Sequence, residues 1–352
     1  MSTFLGARCE FKVIALRSLF AVLISGVVGI GMALQGFGVW SLVGQQMMYE
    51  LVAVVVLWRL SDWRPSWRIS MGHFRDLWHF GITTLGFNFL SFFSTRADDF
   101  LIGYFLGVEA LGLYSLAYRI LTIMTQLLVS TSNQVALPTF SRLQENLEQF
   151  RRAFYRATQL TSVVAFPTFL GMVVLAPQVI LTVFGEQWLA SVLVLQILAF
   201  DGLRRSVSFF KSSVFLAMDK PHWRLNLSLV NATLNVIAFA IAVRWGIVAV
   251  ALAYVIRGYI MFPIGQWMVS ILIHAPLKIY LKQFLAPLIS TILMTTAIIG
   301  VKILFIEILT PLALIVICTV SGIVIYGLAI RLLASEIWKD LLRLFSLAQS
   351  KS

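Results

Sequence analysis

Two segments of this chain carry charge where their surroundings are apolar. Arg96, Asp98, Asp99 and Arg119 lie in or beside the long apolar runs that meet around Gly103-Tyr-Phe-Leu-Gly107, and Asp201, Arg204, Arg205 and Lys211 interrupt another run. A charge at membrane depth costs at least about 2.5–3.5 kcal/mol on insertion scales, so it is retained where it faces protein or water. Two chemistries are open to the first segment. Arginines facing a wet cavity can grip phosphate or carboxylate oxygens through forked hydrogen bonds. Alternatively, Arg96 pairs with an aspartate at i+3, on the same helical face, and serves packing alone. In the second segment Asp201 and Arg205 are four apart and can pair, which leaves Arg204 and Lys211 in need of water or a partner. Either one cationic helix face looks into a cavity or the helix breaks near Asp201.

Other polar groups sit singly inside apolar runs: Glu50, Asn88, Asn133, Asn231, Asn235 and Arg257. Asn88 and Asn133 line the same cavity or hold helices together as buried amides. Glu50, next to Tyr49, is a candidate proton or counter-ion site, and Asp98 is a second candidate for coupling to a proton gradient. His73, His79, His222 and His274 form no ligand set, and Cys9 and Cys318 are far apart, so neither metal nor cofactor is expected. There is no nucleotide-binding glycine loop, no pair of catalytic carboxylates and no nucleophile motif, and the expectation is a non-enzyme.

The elements that must position these groups are membrane helices. Of 352 residues, 60% are hydrophobic and 12% charged, with a mean hydropathy of +0.91. A soluble protein carries about twice that share of charge, so the chain is an integral membrane protein. Its net charge of +12 lies in short segments between apolar runs, where headgroups account for it without nucleic acid. Ten runs are long enough to span, at about 13–34, 39–57, 78–105, 111–137, 159–184, 189–218, 225–243, 247–271, 284–305 and 310–333. No cleavable leader is expected at the front. The segment from Pro138 to Thr158 has the spacing of an amphipathic helix on the membrane surface.

With the N-terminus inside, the cytoplasmic segments hold Arg8, Lys12 and Arg17, Arg59 to Arg75, Arg142 to Arg156, Lys220 and Arg224, Lys278 and Lys282, and Lys339 and Arg343. The outer turns hold little besides Arg244 and nearby Lys302. Both termini are therefore expected in the cytoplasm. A weak internal repeat lays Gly38 and its neighbours over Gly246, in outer turns of hairpins entered from the same side.

Several motifs are shared with a known group. Asp98-Asp99-Phe-Leu-Ile-Gly103-Tyr-Phe-Leu-Gly107-Val-Glu-Ala-Leu-Gly112-Leu-Tyr114-Ser-Leu-Ala117-Tyr118-Arg119 resembles the seventh-to-eighth helix region of bacterial polysaccharide and O-antigen flippases. Leu137-Pro138-Thr-Phe-Ser141-Arg142, Phe166-Pro167, Leu175-Ala176-Pro177, Phe184-Gly185-Glu-Gln-Trp188 and Ala217-Met-Asp-Lys-Pro221 match further along, and Phe11-Lys12 to Arg17 with Gly36-Phe-Gly38-Val-Trp40 match at the front. The superfamily also includes toxin-extrusion multidrug exporters and lipid II flippases.

The resemblance implies an all-α, polytopic inner-membrane protein with the two-lobe toxin-extrusion transporter fold, lacking its first four helices. Residues 1–75 would be the last helix pair of the first lobe, 76–272 the second lobe with the connection at 138–158, and 273–352 a C-terminal helix pair and tail. The implied activity is flipping of a polyprenyl-diphosphate-linked glycan for surface polysaccharide or lipopolysaccharide synthesis. Asn88, Arg96, Asp98, Asp99, Arg119, Asn133, Asp201, Arg204 and Arg205 would then lie near its cavity. Implied partners are membrane lipids, a polysaccharide polymerase, glycosyltransferases and a second copy replacing the missing helices. The rivals are a small-molecule exporter of the same superfamily, a membrane glycan polymerase or ligase, and an inactive remnant.

Overall fold

A computed structural model of the chain describes residues 11–60 and 71–334; of these, the side chains of 11–16, 60, 72–77, 79–95 and 129–135 lie outside the description. Among the described residues there is no strand, and nine helical stretches are long and apolar enough to cross a membrane. The protein is a multi-pass membrane protein. It divides into two compact units, Met1–Ile82 and Thr83–Ser352.

In the first unit, α1 (Phe11–Leu34) and α2 (Trp40–Leu60) form a hairpin. Its turn is the expected glycine joint, with Gly36 and Gly38 at φ 83° and 53°, a region that residues with a Cβ enter at a cost. The two helices meet at Ala21, Val52 and Ala53, while Leu23, Val27, Ile30, Leu34, Met47 and Leu51 point outward. An outer surface of this kind suits lipid, which solvates such side chains as well as a protein core does.

α3 runs over Met71–Arg142 with a sharp break at Gly107, so the expected spans at 78–105 and 111–137 are two arms of one helical run. The second unit continues with α4 (Leu147–Val183), α5 (Val192–Ser208), α6 (Lys211–Ala217), α7 (Pro221–Ala242) and α8 (Ile247–Ile273). Short α9 (Leu277–Lys282) leads into the hairpin of α10 (Leu285–Phe305) and α11 (Pro311–Leu333). Alternate turns share a device: Gly107, Gly185 and Gly246 all sit at φ 87–93° and ψ 174–179°. That region is essentially closed to residues other than glycine.

Segment 138–158 differs from the surface connection read from its spacing. α3 continues through Pro138 to Arg142, and after a tight turn Asn146 caps α4, its side chain accepting from the Gln149 N–H at 3.1 Å. The amphipathic spacing is there, but protein covers its apolar face. Phe150 and Phe154 are buried with Phe140, Phe210 and Tyr280, while Arg152 faces out and pairs with Glu148. α5 likewise runs unbroken through Asp201 and ends only at Phe209-Phe210, so the alternative of a helix broken at Asp201 falls away.

The C-terminal hairpin packs on α4 within the second unit. Leu175 meets Met294, Ile298, Leu314 and Cys318, the Tyr326 hydroxyl donates to the Val163 carbonyl at 2.6 Å, and Lys302 donates to the Val174 carbonyl at 2.8 Å.

Candidate functional site

The polar centre of the second unit is built on α5 and α8. Asp201 has no exposed side-chain surface. One of its carboxylate oxygens accepts from Arg204 at 2.7 Å and the other from Arg205 Nε at 2.6 Å. An i+3 and an i+4 partner can reach one carboxylate because both lie one helical turn away on its face. Two guanidinium groups therefore share one buried negative charge.

Arg205 carries the network off its own helix. Its Nη2 donates to the Tyr118 hydroxyl at 3.3 Å and to that of Tyr254, and its guanidinium stands 5.7 Å and 5.6 Å from the two ring centres. Tyr254 in turn lies under Arg257 at 5.3 Å. Arg257 crosses from α8 to α7, where Nη1 donates to Asn231 Oδ1 at 2.8 Å and to the Asn231 carbonyl at 3.2 Å.

The sequence of α8 makes room for this. Ala251, Tyr254, Gly258, Met261 and Gly265 follow a spacing of three and four and are all buried. A Cβ at Gly258 would stand 2.6 Å from Arg204 Nε and 3.0 Å from Asp201 Oδ1, and one at Gly265 would stand 2.5 Å from Lys211 Nζ and 3.0 Å from its Cδ. These glycines let charged side chains of α5 and α6 lie against the α8 backbone.

Next to the network is a cavity of about 210 Å3 lined by Asp98, Tyr118, Ser228, Asn231, Ala232, Asn235, Tyr254 and Arg257. Asp98 is 4% exposed and is held by the Tyr114 hydroxyl at 3.3 Å and the Asp99 N–H at 3.0 Å. Asn235 Oδ1 and Arg257 Nε are buried without a hydrogen-bond partner.

The charged segments therefore separate into roles. Asp201, Arg204 and Arg205 belong to the interior network and Asp98 is buried beside it with Tyr114, whereas Arg96 pairs with Asp99 at 2.8 Å on a side chain 63% exposed. Asp99 also accepts from Ser115 at 3.5 Å, a marginal contact, and Arg119 is exposed. Glu50 is exposed on α2 of the first unit and accepts from Gln46 at 3.2 Å. The side chains of Asn88 and Asn133 lie outside the described residues. Asn231, half-buried on α7, accepts from Arg257 of α8 and so links the two helices. Tyr114 and Tyr118 stand in the sequence only as part of the shared motif and Tyr254 not at all, although Tyr114 and Tyr118 are one helical turn apart beside the charged segment.

The same helical fold recurs in a protein of known structure. A solved structure of "Lipid II flippase MurJ, inward closed conformation" shares the fold with a TM-score of 0.73 at 17% identity, covering 92% of this chain and 67% of that one. Residues 2–193, more than half the chain, match the family described as "Polysaccharide biosynthesis protein", and the chain belongs to that family. The teichuronic acid biosynthesis protein TuaB of Bacillus subtilis is 28% identical over 73% of this chain and 54% of its own length. The succinoglycan biosynthesis transport protein ExoT of Rhizobium meliloti is 30% identical over 54% and 39%. The lipopolysaccharide biosynthesis protein WzxC of Escherichia coli is 28% identical over 44% and 32%. The chain thus spans between 32% and 54% of these relatives.

Proposed function

We propose that the chain works in the translocation of a polyprenyl-diphosphate-linked oligosaccharide across the bacterial inner membrane, for surface polysaccharide or lipopolysaccharide synthesis. The observation that carries this is the buried cluster of Asp201, Arg204 and Arg205, continued through Tyr254 to Arg257 beside a polar cavity, in a chain of this family. Such a cluster in a lipid-embedded bundle is a functional site by default, because isolated charge there is costly. The names of the relatives support a carrier for lipid-linked glycan, which makes and breaks no covalent bond.

In this reading the polyprenyl tail stays in lipid while the headgroup passes along the protein. Arg119, Arg204 and Arg257 supply charge-assisted hydrogen bonds to diphosphate oxygens, and Asp201 and Arg205 hold that cationic face in place. Glu50 and Asp98 are the carboxylates available for coupling. Both termini lie in the cytoplasm, consistent with basic residues at Arg142, Lys220, Arg224, Lys278 and Lys282, near one alternate set of turns. A polymerase, glycosyltransferases and a second copy of the chain are the proposed partners.

The test is reconstitution of the 352-residue chain in liposomes holding a polyprenyl-diphosphate glycan, with lectin accessibility measured over time. The expected result is transfer between leaflets, slowed at least about tenfold by Arg204→Ala or Arg257→Gln, the loss of one charged hydrogen bond in each case. Transfer equal to protein-free liposomes overturns the function. Wild-type rates in both variants overturn the roles.

A further inference from the structure

Helix α4 contains two prolines, Pro167 and Pro177. A proline has no N–H, so each leaves the carbonyl four residues back, at Val163 and at Val173, without its helical donor. Side chains of other helices take up both. The Tyr326 hydroxyl of α11 donates to the Val163 carbonyl at 2.6 Å, and Gln196 Nε2 of α5 donates to the Val173 carbonyl at 2.7 Å. Beside the second proline, Lys302 Nζ of α10 donates to the Val174 carbonyl at 2.8 Å. The pattern recurs at Pro287 in the first turn of α10, where the Gln283 carbonyl accepts from Gln159 Nε2 of α4 at 3.3 Å.

Membrane helices tolerate proline where a neighbour satisfies the freed carbonyl, so one such contact alone would mean packing and no more. The arrangement of the donors goes further. At about 1.5 Å per residue, Pro167 and Pro177 stand about 15 Å apart along α4, and the C-terminal hairpin grips both ends of that stretch, with Tyr326 at one and Lys302 at the other. Among the described residues, α4 is also the one helix outside the hairpin on which the hairpin packs extensively. The bend of α4 is thus set by side chains of other elements, and the hairpin acts on the rest of the unit through α4. Gln196, on the same helix as Asp201, Arg204 and Arg205, carries a change of bend at Pro177 to the buried charged cluster.

We propose that the C-terminal hairpin is a latch on α4. With Tyr326 and Lys302 engaged, α4 is fixed at one bend; when they let go, it flexes at Pro167 and Pro177 and shifts α5 through Gln196. The latch stands on these contacts, and its place in a transport cycle rests on the translocation reading.

The test follows amide hydrogen exchange by mass spectrometry in the full chain, held in lipid nanodiscs, over peptides covering 160–183. Tyr326→Phe should speed exchange around Pro167 about threefold to tenfold, and Gln196→Leu should do the same around Pro177, as loss of one hydrogen bond predicts. Exchange in α7 and α8 should stay at its wild-type rate. In a Pro167→Ala background Tyr326→Phe should change nothing at this position, because the Val163 carbonyl then has a donor in its own helix. Thermal unfolding shows whether each variant is folded, and Lys302→Met gives a second reading of the latch should Tyr326→Phe misfold. Unchanged exchange around both prolines, or a rise spread equally over α7 and α8, overturns the latch.

The liposome assay reads the movement. The double variant Pro167→Ala with Pro177→Ala, folded and with the Asp201 cluster untouched, should slow transfer at least about tenfold, as a stiffened hinge raises a barrier. Wild-type transfer by that variant shows that α4 does not flex in the cycle and overturns the proposal. If the wild-type chain itself transfers nothing, the translocation reading fails, and the exchange measurements decide the latch by themselves.

Discussion

Asp201 and Arg205 are joined at 2.6 Å in a place where the carboxylate has no exposed surface, and the same carboxylate is shared with Arg204 at 2.7 Å. One anion between two cations is an unbalanced set, and Tyr118 and Tyr254 complete the solvation of Arg205. Neutralising the carboxylate therefore strands two largely buried guanidinium groups. Removing one member of a buried pair costs about 3–5 kcal/mol, whereas removing both is often close to neutral. Asp201→Asn should be strongly destabilised in detergent, and the double variant Asp201→Asn with Arg205→Met should recover part of the loss. Thermal unfolding followed by size-exclusion chromatography reads both, and a double variant worse than the single would contradict the shared-charge account.

Tyr254 serves two arginines in two ways. Its hydroxyl accepts from Arg205, and its ring lies 5.6 Å from that guanidinium and 5.3 Å from the Arg257 guanidinium. Tyr254→Phe removes only the acceptor for a charged donor, a loss of about 1.5–3 kcal/mol. Tyr254→Leu also removes two cation–π contacts of about 0.5–2 kcal/mol each. Tyr118→Phe should cost least, since its bond to Arg205 is long at 3.3 Å. The expected order of unfolding temperatures is Tyr118→Phe above Tyr254→Phe above Tyr254→Leu, and a reversal of the last two would show that the ring contributes nothing.

Much of this is legible in the sequence where interactions are local. The α1–α2 turn follows from Gly36 and Gly38, and the Arg96–Asp99 and Asp201–Arg205 pairs follow from helical spacing. What distance in sequence hides is convergence: Arg205 reaches Tyr118 across 87 residues and Tyr254 across 49. Periodicity also shows that Phe150 and Phe154 share an apolar face without showing whether membrane or protein covers it. Here Tyr280, far along the chain, covers it. The glycines of α8 were silent for the same reason, since a missing side chain matters only through what another helix puts in the space.

Gly258 and Gly265 lie two turns apart on the same face of α8, and both have a basic side chain against them, yet substitution should affect them unequally. At Gly258 a new Cβ meets Arg204 Nε at 2.6 Å and Asp201 Oδ1 at 3.0 Å, both locked in the ion pair. At Gly265 it meets Lys211, a flexible chain with no ion-pair partner among the described residues. Gly258→Ala should cost about 1–3 kcal/mol by overpacking. Gly265→Ala should stay near neutral, because Lys211 can swing aside and alanine favours a helix by about 1 kcal/mol. Equal unfolding temperatures for the two variants would mean that the ion pair is mobile.

Gly107 tests backbone strain with no clash to confuse it. A Cβ there would meet nothing within 4 Å, so any loss in Gly107→Ala comes from forcing alanine to φ 87° and ψ 175°. The expected cost is about 1–3 kcal/mol. Asparagine, which often relieves a left-handed position near φ 57° and ψ 47°, should give no rescue, because ψ here is extended. Gly171 is the matching control, since it too has open space around it but lies inside helix α4, where alanine should stabilise by about 0.5–1 kcal/mol. Opposite signs for Gly107→Ala and Gly171→Ala in the same thermal assay would place the strain at the turn between the two arms of α3. If Gly107→Ala is neutral, that turn relaxes into another conformation, and the geometry shared by Gly107, Gly185 and Gly246 is not needed to close the bundle.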